Sequence, residues 1–144
     1  NYRMTNLQAA LGLSGMEEIE WAISQKRTMA DIYTRGLSDC RYLELPIEKS
    51  YARSVYWMYA LTVTKDSPLS KDEFRTELKK RGVDTRDYFV PIHQQPVFTS
   101  RGYFSGASCP VSDDLSKRGL YIPSGLAITK AQQQQVIEAI HAIL

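Results

Sequence analysis

From Thr5 to about Leu37, apolar residues recur at three- and four-residue spacings: Leu7, Leu11, Ile19, Ile23, Ala30, Tyr33 and Leu37. That is the period of one helix face and predicts a single long amphipathic helix. Thr5 and Gln8 make a T-x-x-Q capping box at its start, each side chain satisfying a backbone N–H. Gly36 marks its end. Gly12 and Gly15 each weaken the run by up to ~1 kcal/mol against alanine, so a kink or a close helix contact is expected near Gly15.

The period then changes. Val55, Trp57, Tyr59, Leu61 and Val63 alternate with Tyr56, Met58, Ala60 and Thr62, which predicts a strand with one buried face. Ser70 and Glu73 form a second capping box, Phe74 and Leu78 give that helix its apolar side, and Gly82 suits its C-terminal cap. Val83 to Phe89 reads as another strand, stopped by Pro91. Pro91 to Pro110 is rich in Gly, Ser, Pro and aromatic residues, and its length favours a functional loop. Ser112 to Lys117 reads as a short helix and Tyr121 to Pro123 as a short strand. A third capping box, Thr129 and Gln132, opens a last helix along Val136, Ile137, Ile140 and Ile143.

This succession predicts an α+β fold: a small mixed or antiparallel sheet packed against helices, with a long N-terminal helix. Residues 1–38 form an interface or linking helix, and residues 39–144 a small α+β domain. The first helix is longer than so small a layer covers, so part of it is expected to pack on something else.

At 144 residues the chain buries a real core, roughly two-thirds of its unfolded surface. A net charge of +2, from 18 basic and 16 acidic residues, gives no pull toward nucleic acid or a membrane surface. The cluster Lys79-Lys80-Arg81 complements a helix C-terminus better than it suits nucleic acid. No apolar run reaches the ~20 residues that span a bilayer, and the opening residues do not read as a secretory leader. Cys40 and Cys109 make no disulfide framework, so a reduced, cytoplasmic setting is expected. With His93 and His141 the only histidines, soft ligands are too few for a zinc site.

Four segments in order carry a resemblance: Asn1-Tyr-Arg-Met-Thr-Asn-Leu-Gln-Ala-Ala-Leu-Gly-Leu13; Ser54-Val-Tyr-Trp-Met-Tyr59; Arg81-Gly-Val-Asp-Thr-Arg86 with Tyr88-Phe-Val-Pro-Ile-His-Gln-Gln-Pro-Val-Phe98; and Gly119-Leu-Tyr-Ile-Pro-Ser-Gly-Leu-Ala-Ile-Thr129. Together they resemble the C-terminal part of the DegT/DnrJ/EryC1/StrS family of sugar aminotransferases, which use pyridoxal phosphate (PLP). They are most similar to the branch that aminates GDP-4-keto-6-deoxymannose to make perosamine. The resemblance implies a homodimeric parent enzyme that moves nitrogen from glutamate to a keto-sugar nucleotide, with an N-terminal PLP domain outside this chain.

By the same resemblance, Asn1 reaches the PLP phosphate of the neighbouring subunit, a role its amide N–H groups suit. Arg3 is placed on the rim of the active site, where its fork can hold an anion. Arg86 and His93 bracket the corner that receives the nucleotide sugar; arginine can neutralise the diphosphate and histidine can donate to it. Plainer readings stay open: a frayed Asn1, a surface ion pair for Arg3, and His93 packed on Pro91 or Pro96. His141, beside Ile140, reads as structural.

Three positions depart from the family pattern. Asp87 stands where proline is common, and is expected to pair with Arg86 or repel a diphosphate. Val90 replaces a frequent aromatic residue, and Gly15 replaces a larger polar one, which would loosen dimer packing. No lysine here resembles the one that forms the Schiff base with PLP; Lys26, Lys79 and Lys130 lie in polar contexts. No residue is therefore assigned a catalytic role, and the chain alone is expected to be inactive. The competing reading is a non-enzymatic remnant that dimerises or binds nucleotide sugars.

Overall fold

The computed structural model describes residues 2–144. In place of one long helix there are two, α1 (Asn6–Glu17) and α2 (Ile19–Gly36), separated at Glu18. The break falls three residues beyond Gly15, near which a kink is expected. A methyl group built on Gly15 meets nothing within 4 Å, so no close helix contact explains that glycine. The Thr5–Gln8 capping box forms as expected.

The two helices have different surroundings. Met29, Ala30, Tyr33 and, just past its end, Leu37 sink α2 into the core, whereas α1 buries no residue. Leu7, Leu11, Leu13 and Met16 of α1 are exposed. They are spread around the helix rather than gathered on one face, so the predicted single stripe does not extend through α1.

Four short strands follow: β1 (Leu43–Glu44), β2 (Tyr59–Val63), β3 (Arg86–Asp87) and β4 (Gly119–Ile122). They pair antiparallel in the order β1-β2-β4-β3. Leu43, Tyr59, Leu61, Val63, Leu120 and Ile122 face a core completed by α2, by Phe74 and Leu78 of α3 (Lys71–Lys80), and by Val136, Ile137 and Ile140 of α6 (Lys130–His141). The α+β expectation holds, with an antiparallel sheet. α2 and α6 approach closely: a Cβ on Gly36 would lie 2.5 Å from Ile137 Cδ1.

Both predicted long strands are shorter than their periodicity suggested. β2 begins at Tyr59 because Tyr56 has φ +45°, a left-handed conformation that interrupts extended backbone. Val55 and Trp57 are consequently exposed instead of buried. Val83 enters the core directly after Gly82, whose φ of +76° closes α3. There the Val83 N–H donates to Leu78 and the Gly82 N–H to Lys79, a Schellman pair. Only Arg86 and Asp87 of the predicted Val83–Phe89 strand join the ladder.

The segment from Tyr88 to Cys109 holds one 3-10 turn (Ile92–Gln94) and the short α4 (Pro96–Thr99). It leads into α5 (Pro110–Arg118), which extends the predicted Ser112–Lys117 helix at both ends. No helix among the described residues is long and apolar enough to cross a membrane.

Candidate functional site

The sheet face turned away from the core is lined by aromatic rings. Register places Arg86 and Ala60 opposite Tyr121, on β4's two sides. Tyr88, two residues beyond Arg86, stacks on Tyr121 with ring centroids 4.8 Å apart. It does so because Gly119 leaves room: a Cβ there would meet the Tyr88 ring at 2.4 Å. Burial pushes the Tyr88 and Tyr121 hydroxyls upward in pKa, so both stay neutral donors. Phe89 tilts against Tyr121 at 6.1 Å and stacks on Trp57 at 6.3 Å.

Beside this layer lies a cleft of about 390 Å³ lined by Met58, Asp84, Thr85, Arg86, Tyr121, Ile122, Pro123 and Ser124. Its far wall, the Pro123–Gly125 turn, is fixed from α2. Tyr33 Oη donates to the Pro123 carbonyl at 2.8 Å, and Lys26 Nζ donates to the Ser124 carbonyl. Partial burial lowers the Lys26 pKa. The Thr85 hydroxyl is enclosed without a hydrogen-bond partner among the described residues.

Arg86 is exposed at this cleft and forms no ion pair with another described residue. The expected Asp87–Arg86 pair is not made. Asp87 instead binds Lys71 at 2.8 Å and Arg75 at 2.7 Å, because adjacent strand residues point to opposite faces and α3 lies on the Asp87 side. These two cations hold its carboxyl below the usual range, the Lys71 hydrogen bond foremost. Asp87 is therefore neutralised within the fold and does not repel an anion at Arg86.

His93 is placed elsewhere. It sits in the 3-10 turn with its side chain 13% exposed, and its Nε2 lies 2.8 Å from Asp113 Oδ1 on α5. Gln94 Nε2 donates to the same oxygen at 2.5 Å. An ionised carboxylate only accepts, so Nε2 carries the proton in this pair. Among the described residues no hydrogen bond joins His93 to Arg86, and His93 does not line the Arg86 cleft.

Arg3 lies in an open groove with Tyr2, Met4, Thr5 and Gln8, whose lining includes neither Arg86 nor His93. Asn1 lies outside the described residues. His141, read as structural, places Nε2 2.8 Å from the Gly36 carbonyl at the end of α2. Among the described residues, no three His, Cys, Asp or Glu side chains gather as a metal site.

Sequence alone does not point to Asp113 or to the exposed Trp57–Phe89 pair as site residues. Asp113 is twenty residues from His93 and reads as an ordinary first-turn acid, while alternation assigned Trp57 to a buried strand face. Four of the lysines are taken up locally. Lys71, Lys80 and Lys65 pair with Asp87, Glu77 and Asp114, and Lys26 holds the Ser124 carbonyl. Lys49, Lys79, Lys117 and Lys130 are exposed.

Comparison with known proteins identifies this architecture. Residues 1–141 match the DegT/DnrJ/EryC1/StrS aminotransferase family. The chain is 32% identical over 142 residues to a GDP-perosamine synthase of Escherichia coli O157:H7, covering 98% of this chain and 36% of that protein. It is 30% identical to the putative PLP-dependent aminotransferase EpsN of Bacillus subtilis, over 97% of this chain and 36% of that one. The fold is shared with Helicobacter pylori PseC, an aminotransferase of pseudaminic acid biosynthesis, at a TM-score of 0.86 and 21% identity over 99% of this chain and 38% of PseC. Streptomyces venezuelae DesV superposes with a TM-score of 0.85 at 23% identity, over 97% of this chain and 36% of DesV. The chain thus spans little more than a third of the length of these proteins, along their C-terminal portion. It belongs to the DegT/DnrJ/EryC1/StrS aminotransferase family.

Proposed function

We propose that this chain works as the C-terminal part of a PLP-dependent nucleotide-sugar aminotransferase, which moves an amino group from glutamate to a 4-keto-6-deoxy sugar nucleotide. The observation that carries the reading is the match of residues 1–141 to little more than a third of full-length sugar aminotransferases. In this reading residues 1–38 link to an N-terminal PLP domain and residues 39–144 form the substrate-side wall, within a cytoplasmic homodimer. PLP would supply an electron sink for breaking bonds next to nitrogen. Among the described lysines, Lys71 is already paired with Asp87, Lys80 with Glu77, and Lys26 holds a carbonyl, and no step is assigned to them.

The roles left to this chain are binding and orientation. Arg86 is free to meet a diphosphate, since Asp87 is already occupied by Lys71 and Arg75. His93, held through Nε2 by Asp113, keeps its other ring nitrogen as an acceptor for a sugar hydroxyl. Asn1 and Arg3 are proposed for the PLP phosphate of the neighbouring subunit and the site rim, on resemblance alone. One structural feature also favours the second reading, a stand-alone dimerisation module: the uncovered apolar surface of α1.

The test is an assay of the 144-residue chain with PLP, glutamate and GDP-4-keto-6-deoxymannose, alongside the genomic sequence upstream of the Asn1 codon. The expected outcome is no amino sugar, and an in-frame upstream region encoding a cofactor lysine. Turnover by the chain alone, or an upstream stop codon, would overturn the reading.

A further inference from the structure

We propose that Trp57 and Phe89 form a stacking shelf for the base of a nucleoside diphosphate whose phosphates lie toward Arg86. This rests on the nucleotide-sugar reading above and specifies where that ligand is held. The rings are nearly parallel, 13° apart, with centroids at 6.3 Å. Both are exposed, Trp57 by 63% and Phe89 by 66%. Large aromatic rings ordinarily remove most of their area from water on folding.

The left-handed turn at Tyr56 ends the extended backbone before β2 and leaves Trp57 outside the core. From there the rings run without a gap toward charge. Phe89 touches Tyr121, and Tyr121 lines the cleft that also holds Arg86. An apolar aromatic end and a cationic end share one wall. That pairing suits a molecule with a flat base at one end and phosphates at the other.

Asp84 lines the same cleft and selects among anions. A carboxylate repels bare phosphate but accepts hydrogen bonds from ribose or hexose hydroxyls. The cleft therefore favours a diphosphate flanked by sugars over pyrophosphate. Stacking alone does not fix the base, because every base has a π-face.

The test uses the full 144-residue chain carrying Trp21→Phe, which leaves Trp57 as its single tryptophan, since the chain has two. Titration with GDP is expected to change Trp57 fluorescence saturably. By calorimetry, Trp57→Ala and Phe89→Ala should each weaken GDP binding roughly five- to hundred-fold, the worth of one base–aromatic stack. Trp57→Phe should retain most of the affinity, and Arg86→Gln should weaken GDP but not guanosine. GDP bound equally well by the chain and its Trp57→Ala and Phe89→Ala variants overturns the shelf and leaves the nucleotide-sugar reading standing. Pyrophosphate bound as tightly as GDP also overturns the shelf. Failure of GDP and dTDP alike to bind overturns both.

Discussion

Glu48 joins a long loop to the core by a single side chain. Its carboxylate takes the Arg27 guanidinium in a two-pronged pair, at 2.7 and 3.0 Å, and accepts the Ser54 N–H at 2.7 Å. Arg27 also donates to the Ser54 carbonyl at 2.6 Å. The loop that ends at Tyr56 and Trp57 is thereby fastened to α2. These bonds, the one from Arg27 foremost, hold the Glu48 carboxyl at a pKa of about 2 against an ordinary 4.5. A depressed carboxylate stabilises the fold fully above its unfolded value and loses that contribution as pH falls toward its folded value. Unfolding midpoints in urea should therefore drop between about pH 4.5 and pH 2, more steeply for this chain than for its Glu48→Gln variant. Parallel curves for the two would show that Glu48 is not coupled to folding. Nothing in the sequence pointed to this residue, because its partner lies twenty-one positions away on a helix.

Helices were more legible than strands, for a physical reason. A capping box is complete within four residues, so Thr5–Gln8, Ser70–Glu73 and Thr129–Gln132 could be read directly, and all three form. Strand ends depend on partners elsewhere in the chain. The alternation from Val55 to Val63 continues across a residue with φ +45°, and only Tyr59–Val63 pairs. The break at Glu18 carries no glycine or proline, whereas the nearby Gly15 offers the local signal for a kink. The cleft residue Arg86 was legible through resemblance, whereas its neighbours Trp57 and Asp84 depend on tertiary placement. The boxes differ in what they support. Ser70 caps α3, whose Phe74 and Leu78 are fully buried, so Ser70→Ala should cost about 1 kcal/mol of global stability. Thr5→Ala removes an equivalent cap from a helix with nothing buried and should leave the urea midpoint unchanged. Equal losses in the two variants would mean that α1 is part of the cooperative unit.

At the scale of the molecule the cooperative unit is the sheet with α2, α3 and α6. Tyr33, Tyr59, Phe74, Leu61, Leu78, Leu120 and Ile140 are fully buried in it. Three contacts lock α2 to α6: the Gly36–Ile137 approach, Gln133 Nε2 to the Met29 carbonyl at 3.1 Å, and His141 to the Gly36 carbonyl. α1 has no counterpart to any of these, and Leu7 and Leu11 are 73% and 68% exposed. A helix apolar on several sides is ordinarily enclosed by other elements. Its surface therefore adds nothing to folding here, yet offers a patch that other chains can cover. Removing residues 1–17 should leave the thermal midpoint and the denaturant slope of the remaining residues unchanged, because the slope follows the area exposed on unfolding. The same truncation should reduce binding of an apolar dye and any concentration-dependent association of the full chain. A drop of several degrees in the midpoint would place α1 inside the core unit, and its bare leucines would then need a different explanation.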